Sequence, residues 1–243
     1  MELKIAHLYP DVLNLYGDRG NIICLKKRLE WRGIGCEVTE IPIGSNIDLK
    51  DFDLFFIGGG QDFEQEALLS DLKNGKDKQI IEAIEADKPF LCICGGYQML
   101  GNYYETFQGV RCDFLGAVDL HTKGSVVRMI GNYAFEIEDL NTTVVGFENH
   151  SGKTFLGDGV KPLGKVLAGY GNNGEDTTEG VRYRNVFGTY CHGPILPKNP
   201  QFTDAILKIA LKVKYGEEKE LAPLDDSEEL QAHESVLKAV MHL

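Results

Sequence analysis

The chain has 243 residues, 43% of them hydrophobic, enough for one large domain with a substantial core. Its 37 acidic residues against 25 basic ones leave a formal net charge of -12, which excludes a phosphate-backbone partner, so no nucleic acid is expected. Met1 leads almost directly into Leu3-Lys4-Ile5-Ala6-His7-Leu8 with no basic leader and no long apolar run, so a cytoplasmic chain without membrane insertion is expected.

Leu3 to Leu8 reads as a buried first strand. A polar loop rich in Gly, Asn and Asp then leads into a helix from about Asn21, with Ile22, Leu25 and Leu29 on one face and Gly33 and Gly35 at its end. Cys36 to Ile41 alternates, and Phe52 to Ile57 is an apolar strand that runs into Gly58-Gly59-Gly60. Helices are expected around Phe63 to Leu72 and Asp77 to Glu85, closed by Pro89 before a second apolar strand, Pro89 to Ile93. Strands alternating with helices predict an α/β fold with a mostly parallel, doubly wound sheet, whose active sites gather at the carboxyl ends of strands.

Cys94 follows that second strand in Leu91-Cys92-Ile93-Cys94-Gly95-Gly96-Tyr97-Gln98, where the run breaks into two glycines and continues with helix formers. This is the setting of a nucleophile elbow: the turning side chain stands above the sheet edge and the first helical N–H groups aim at it. The positive end of the helix dipole would raise the thiolate fraction of a cysteine placed there. The other reading is a buried structural cysteine, since free Cys is among the most buried residue types.

From Phe107 to Gly188 the pattern changes to short β-like runs, Val126 to Ile130, Tyr133 to Ile137 and Val144 to Phe147, separated by Gly/Asn turns. A hairpin-rich β layer on the parallel core is predicted. Val186 to Tyr190 is a further β-rich run that ends in Cys191-His192-Gly193-Pro194. A cysteine and a distant histidine, each at a strand end, suit a thiol nucleophile and its general base, although a lone histidine is more often capped or buried without a role. Gly58-Gly59-Gly60 would leave main-chain N–H groups approachable, as an oxyanion hole requires, or be no more than a tight turn.

The chain closes with an acidic linker, Glu217 to Asp226, and a helix from Glu228 to His242 with Leu230, His233, Leu237, Val240 and Met241 on one side. One domain over residues 1–215 is expected, with 216–243 packed on it or on a partner. The cysteines at 24, 36, 92, 94, 112 and 191 read as thiols rather than bridges.

The ordered set Gly58-Gly59-Gly60, Cys94-Gly95-Gly96-Tyr97-Gln98-Met99-Leu100, Phe147-Glu148-Asn149-His150-Ser151-Gly152 and Tyr190-Cys191-His192-Gly193-Pro194 resembles the class I glutamine amidotransferases of the cobyric-acid-synthase type, from about Met1 to about Ile209. Tyr16-Gly17-Asp18-Arg19-Gly20-Asn21 and Gly60-Gln61-Asp62-Phe63-Glu64-Gln65-Glu66 are similar to the glutaminase subunits of lipid II isoglutaminyl synthases within that family. The resemblance implies a flavodoxin-like fold with flanking helices and an added β-hairpin layer. It also implies hydrolysis of L-glutamine through a Cys94 thioester, with His192 as proton shuttle and the main-chain N–H groups of Gly60 and Gly95 holding the oxyanion. Arg128 stands at the place where such chains carry the arginine for the substrate α-carboxylate, a bidentate task that suits a guanidinium. Gln98, one helical turn after Cys94, and the turn at His150 and Ser151 are further substrate-binding candidates, a structural role being the alternative.

No G-x-x-x-x-G-K-[ST] phosphate loop occurs, so the chain needs a partner to activate an acceptor. The resemblance implies a MurT-like subunit of the Mur-ligase family, which uses ATP and the ammonia to amidate D-glutamate of the lipid II stem peptide during peptidoglycan synthesis. A cobyric-acid-type amidotransferase subunit is the alternative. No cofactor is expected. Three further readings compete: a zinc set of Cys92, Cys94, Cys191 and His192, a non-catalytic partner subunit, and a stand-alone amide hydrolase. The zinc set suffers from Cys-x-Cys in a strand, where alternate side chains face opposite sides.

The chain departs from the class I pattern at Cys92, where a glycine is usual, and at Pro194, where the triad acid is usual. Nothing obvious replaces that acid, so a partner carboxylate or an internal one such as Glu148 is expected to serve His192.

Overall fold

Strand β1 (Glu2–Leu8) lies inside the first sheet with Leu3, Ile5, Ala6 and Leu8 fully buried, because parallel strands are covered by helices on both faces. The computed structural model describes residues 1–60 and 65–242. Helix α1 (Arg19–Glu30) carries the chain over to β2 (Gly35–Ile41), parallel to β1 in the register Glu2–Gly35 to Leu8–Ile41. Its buried residues Ile22, Leu25 and Leu29 are those of the predicted face. Strand β3 (Leu54–Ile57) pairs with the other side of β1. Helices α2 (Gln65–Asp71) and α3 (Asp77–Glu85) then return the chain to β4 (Phe90–Ile93), parallel to β3. The start of the predicted Phe63–Leu72 helix, with part of the Gly60–Glu66 motif, lies outside the described residues.

After the four-residue helix α4 (Gly95–Gln98) come β5 (Tyr103–Glu105), β6 (Arg111–Asp113), β7 (Leu120–Ile137), β8 (Thr142–Leu156), β9 (Gly164–Ala168), β10 (Thr178–Glu179), β11 (Val181–Tyr183) and β12 (Val186–Thr189). Strand β12 returns to the first sheet beside β4, giving the order β11-β12-β4-β3-β1-β2, parallel except for β11 at the edge. The second sheet runs β10-β9-β7-β5-β6, with β8 also paired to β7. This is the mixed α/β arrangement expected from the sequence, a mostly parallel sheet with flanking helices and an added β layer.

The separate short runs expected within residues 126–147 are instead one long hairpin of β7 and β8. Gly131 and Asn132 do not turn the chain; they pair with Glu148 and Phe147 and extend the ladder. The turn falls at Glu138–Leu140, where Asn141 adopts the left-handed conformation that asparagine tolerates. A register shift between Gly124 and Met129 instead pushes Val126, Val127 and Arg128 out to the surface.

Helix α5 (Pro200–Tyr215) packs on the first sheet through Phe202, Ile206, Leu207, Ala210 and Leu211, and Gly216 caps it in the left-handed conformation. The acidic segment beyond is tied down by Arg28, whose guanidinium reaches both Asp204 and Asp226. Helix α6 (Ser227–Met241) lies against β7, β8 and β9. His233 Nδ1 sits 3.0 Å from both Lys198 O and Asn199 Oδ1, while Leu230 and Met241 stay exposed. Among the described residues no helix is long and apolar enough to cross a membrane.

Candidate active site

The carboxyl ends of β3, β4 and β12 meet at one edge of the first sheet, and each delivers one part of the site. At the end of β4 the chain turns through Cys94 with φ 48° and ψ -105°, a conformation that costs a non-glycine residue about 1–3 kcal/mol. The surroundings impose it. Cys94 N donates to Thr189 O at 2.8 Å, and Gly96 N donates to Gly58 O at 3.2 Å. A side chain could not enter that junction: a Cβ on Gly96 would stand 2.6 Å from Ile57 Cγ2, and one on Gly95 would stand 3.0 Å from Gly60 N. The two glycines therefore press the Cys94 turn against the Gly58–Gly60 turn, and the backbones of Gly60 and Gly95 lie side by side.

Beyond β12, the main chain of His192 pairs with that of Phe147, with His192 N to Phe147 O at 2.7 Å and Phe147 N to His192 O at 3.1 Å. This fixes the imidazole over the Cys94 turn. Its Nδ1 lies 3.4 Å from Asp18 Oδ1, and the other oxygen of Asp18 accepts Gly59 N–H at 2.7 Å. Its Nε2 is buried with no hydrogen-bond partner. Burial opposes charge on this ring, but the Asp18 carboxylate at Nδ1 and the neighbouring Cys94 sulfur outweigh it and lift the imidazolium to about 10. Cysteine, histidine and carboxylate thus converge around Gly59, where an added Cβ would lie within 3.4 Å of all three, with the carboxylate buried and oriented by the backbone.

Asp18 is the residue that sequence reasoning misses. The expected place of the acid is filled by Pro194, whose ring packs on Gly20 so closely that a Cβ there would lie 2.5 Å from Pro194 Cγ. The carboxylate comes instead from the loop before α1, 174 positions earlier in the chain. The signal was an acid between glycines in the loop after the first parallel strand, which the topology puts at the site's edge of the sheet. Glu148 is not that acid. Its two oxygens accept Tyr170 N–H at 2.7 Å and Gly171 N–H at 3.1 Å, and His150 Nε2 lies 3.6 Å away.

A cavity of about 340 Å³ opens over Cys94 and is lined by Tyr16, Gly60, Gln98, Arg128, Asn149, His150 and Ser151 among others. The structure therefore gathers Cys94, Gly60, Arg128, Gln98, His150 and Ser151 around one space. Gln98 Nε2 donates to the buried hydroxyl of Tyr190 at 2.9 Å. Arg128, exposed on the β7 bulge, donates from Nε to Asn149 Oδ1 at the mouth. His150 is held by ring and backbone: Nδ1 meets Gly152 O at 2.8 Å, the ring stacks on Tyr190 at 3.6 Å, and Nε2 is buried without a hydrogen-bond partner.

The other cysteines near the site cannot take part. Cys92 is fully buried within β4, and burial pushes its thiol far above the ordinary range. Burial, with Glu179 nearby, does the same to Cys191. Among the described residues no three His, Cys, Asp or Glu side chains converge as a metal ion would require.

Residues 4–200 match the CobB/CobQ-like glutamine amidotransferase domain. The chain is 43% identical to the lipid II isoglutaminyl synthase (glutamine-hydrolyzing) subunit GatD of Streptococcus pneumoniae, over 98% of this chain and 92% of that protein. It is 44% identical to the GatD subunit of Staphylococcus aureus, over 97% of this chain and 95% of that one. A chain of PurLQS from Thermotoga maritima superposes with a TM-score of 0.61 at 16% identity, covering 89% of this chain and 100% of its own length.

Proposed function

The chain belongs to the CobB/CobQ-like glutamine amidotransferases, and from that membership and the geometry around Cys94 we propose that it is the glutaminase subunit of a lipid II isoglutaminyl synthase. The observation that carries the reading is the convergence of Cys94, His192 and Asp18 around Gly59, beside a polar cavity whose mouth holds an arginine.

The Cys94 thiolate, paired with the His192 imidazolium, attacks the side-chain carbonyl of L-glutamine. Main-chain N–H groups of Gly60 and Gly95 receive the charge that develops on its oxygen. The His192 imidazolium gives its proton to the departing nitrogen, which leaves as ammonia, and a γ-glutamyl thioester remains on Cys94. Because the thiolate is then consumed, one of the two charges that held the imidazolium protonated is gone, and His192 becomes a base for the attacking water. Hydrolysis releases L-glutamate and restores the thiolate–imidazolium pair. Asp18 accepts from Nδ1 and keeps Nε2 toward the sulfur. Arg128 holds the α-carboxylate, and Gln98 and Ser151 offer polar atoms to the rest of the amino-acid head.

Ammonia made here needs an acceptor that ATP has activated, and the chain has no phosphate loop of its own. A MurT-like subunit of the Mur-ligase family, forming a heterodimer with this chain in the cytoplasm, would amidate D-glutamate of the lipid II stem peptide to D-isoglutamine. Two named GatD relatives that match nearly end to end support this acceptor, whereas cobyric acid synthases are only distant relations.

The test supplies the chain and its partner with glutamine labelled with ¹⁵N in the side-chain amide, ATP and lipid II. Label in the stem peptide is expected to disappear with Cys94→Ala and to return when ¹⁵N-labelled free ammonia is supplied. Glutamine hydrolysis without transfer to lipid II would overturn the acceptor, and no hydrolysis would overturn the whole reading.

A further inference from the structure

Between β1 and α1 the loop crosses the mouth of the cavity, and Tyr16 sits at its crest with φ 51° and ψ 29°. The left-handed conformation is uncommon for a bulky residue and signals that the surroundings hold it. Three contacts on that loop do so: Leu15 N donates to Gly59 O at 3.1 Å, Arg19 N to Asn14 Oδ1 at 3.0 Å, and Asp18 N to Leu15 O at 3.1 Å. The strained backbone sends the Tyr16 side chain in two directions at once. Its ring meets the His192 imidazole edge to face, centroids 4.9 Å apart at 73°, and lies 6.3 Å from Phe147. Its hydroxyl receives Asn149 Nδ2–H at 2.8 Å and lies 3.5 Å from Arg128 Nη2. Asn149 uses its other atom, Oδ1, to accept from Arg128 Nε.

We propose that Tyr16 is a positioning residue with two separable parts: its hydroxyl, through Asn149, aims the Arg128 guanidinium at the substrate α-carboxylate, and its ring covers His192. Free, an arginine on an exposed bulge samples many rotamers, and ordering it on binding would weaken affinity. Tied by Nε to Asn149, and with Nη2 near Tyr16, it has its remaining N–H groups directed to one side. The ring shields one flank of the imidazole from water and leaves Nε2 toward Cys94. Two residues further along, Asp18 meets Nδ1 of the same imidazole. The loop therefore sets the histidine from two sides and the substrate clamp from a third.

This inference rests on Arg128 as the carboxylate clamp, and the experiment separates the two. The full-length chain is alkylated with a γ-diazoketone analogue of L-glutamine and with the α-methyl ester of the same reagent, and the inhibition constant and maximal rate are measured for each. Tyr16→Phe is expected to weaken binding of the acid roughly three- to tenfold, the worth of one hydrogen bond between neutral groups, leaving the ester and both maximal rates unchanged. Asn149→Leu should give the same pattern. Tyr16→Leu should also lower the maximal rate with both reagents. Arg128→Ala should abolish the preference for the acid over the ester. If Arg128→Ala removes that preference while Tyr16→Phe and Asn149→Leu behave as wild type, the clamp stands and the role of Tyr16 is overturned. If Arg128→Ala keeps the preference, the clamp itself is wrong. Equal weakening of acid and ester by Tyr16→Phe also overturns the proposal, since a general loosening of the mouth would act that way.

Discussion

Asp18 Oδ1 lies 3.4 Å from His192 Nδ1, and the same carboxylate is anchored by the N–H of Gly59 at 2.7 Å. A charge so placed favours the imidazolium, and with Cys94 it overcomes the opposing effect of burial and lifts His192 to about 10. Asp18→Asn keeps the shape and removes the charge. If His192 is the proton shuttle, the activity should fall on the order of 10⁴-fold, as when a serine-protease triad histidine loses its orienting carboxylate to an amide. The alkaline limit of alkylation at Cys94 should move down in pH, because a raised histidine pKa drops when its negative partner is neutralised. The same sign governs stability. The contribution of His192 to the fold is fully present below the ordinary histidine value of about 6.5 and fades as pH rises through about 10. Rate profiles and melting temperatures of the two proteins across pH check both statements. An unmoved alkaline limit would mean that Asp18 does not act on the ring.

Cys94, at 7% exposure, opens to the cavity, whereas Cys92 and Cys191 are fully enclosed. A glutamine-mimicking electrophile should therefore attach to Cys94 alone. Cys94→Ala should abolish hydrolysis, while Cys92→Ser and Cys191→Ser should keep most of it and lose about 1–3 kcal/mol of stability, because each buries a hydroxyl in place of a thiol. Peptide mapping of the adduct settles the assignment, and an adduct on either buried cysteine would contradict it.

The parallel core is legible because both-faces-buried strands leave uninterrupted apolar runs, as in Leu54-Phe55-Phe56-Ile57 and Phe90-Leu91-Cys92-Ile93. The Cys94 elbow is legible for the same reason: two glycines after such a run have few other uses. The long hairpin is not, because Gly131-Asn132 carries a local turn signal that cross-strand pairing overrides. Asp18 is hidden for a different reason. Its role depends on the distance between two loops far apart in sequence, and no period or spacing encodes that.

Arg28 reaches both Asp204 and Asp226, with a side chain only 2% exposed. Through it helix α1, helix α5 and the acidic segment before α6 are held at one point. Removing the cation leaves two partly buried carboxylates facing each other, with Arg32 still on Asp204. Arg28→Ala should therefore destabilise the chain by about 3 kcal/mol, the range for breaking a buried pair from one side. Proteolysis should speed up selectively within residues 217–226. Denaturant unfolding and limited digestion measure the two effects, and an unchanged digestion pattern would mean that the segment is held by other contacts.

Gly59 touches all three members of the site at once. A Cβ there would lie 2.7 Å from His192 Cε1, 3.3 Å from Asp18 Oδ2 and 3.4 Å from Cys94 Cβ. The shortest of these is a collision with a ring whose main chain is locked to Phe147, so the imidazole must tilt or the Gly58–Gly60 turn must retreat from it. Either movement lengthens the histidine–carboxylate contact or displaces Gly60, so the proton transfer and oxyanion binding proposed for them should suffer. Gly59→Ala should lower the maximal rate at least tenfold with a smaller change in KM, and the melting temperature should drop modestly, since one methyl group in a tight site costs about 1–3 kcal/mol. Gly17→Ala is the control for backbone effects: Gly17 has φ 78° and open space around a Cβ, so it should cost stability through the left-handed conformation alone. Kinetics and melting curves of the two variants side by side separate crowding at the reacting groups from strain in the loop. A Gly59→Ala protein with wild-type turnover would show that His192 has room to spare and that its seating is looser than the contacts imply.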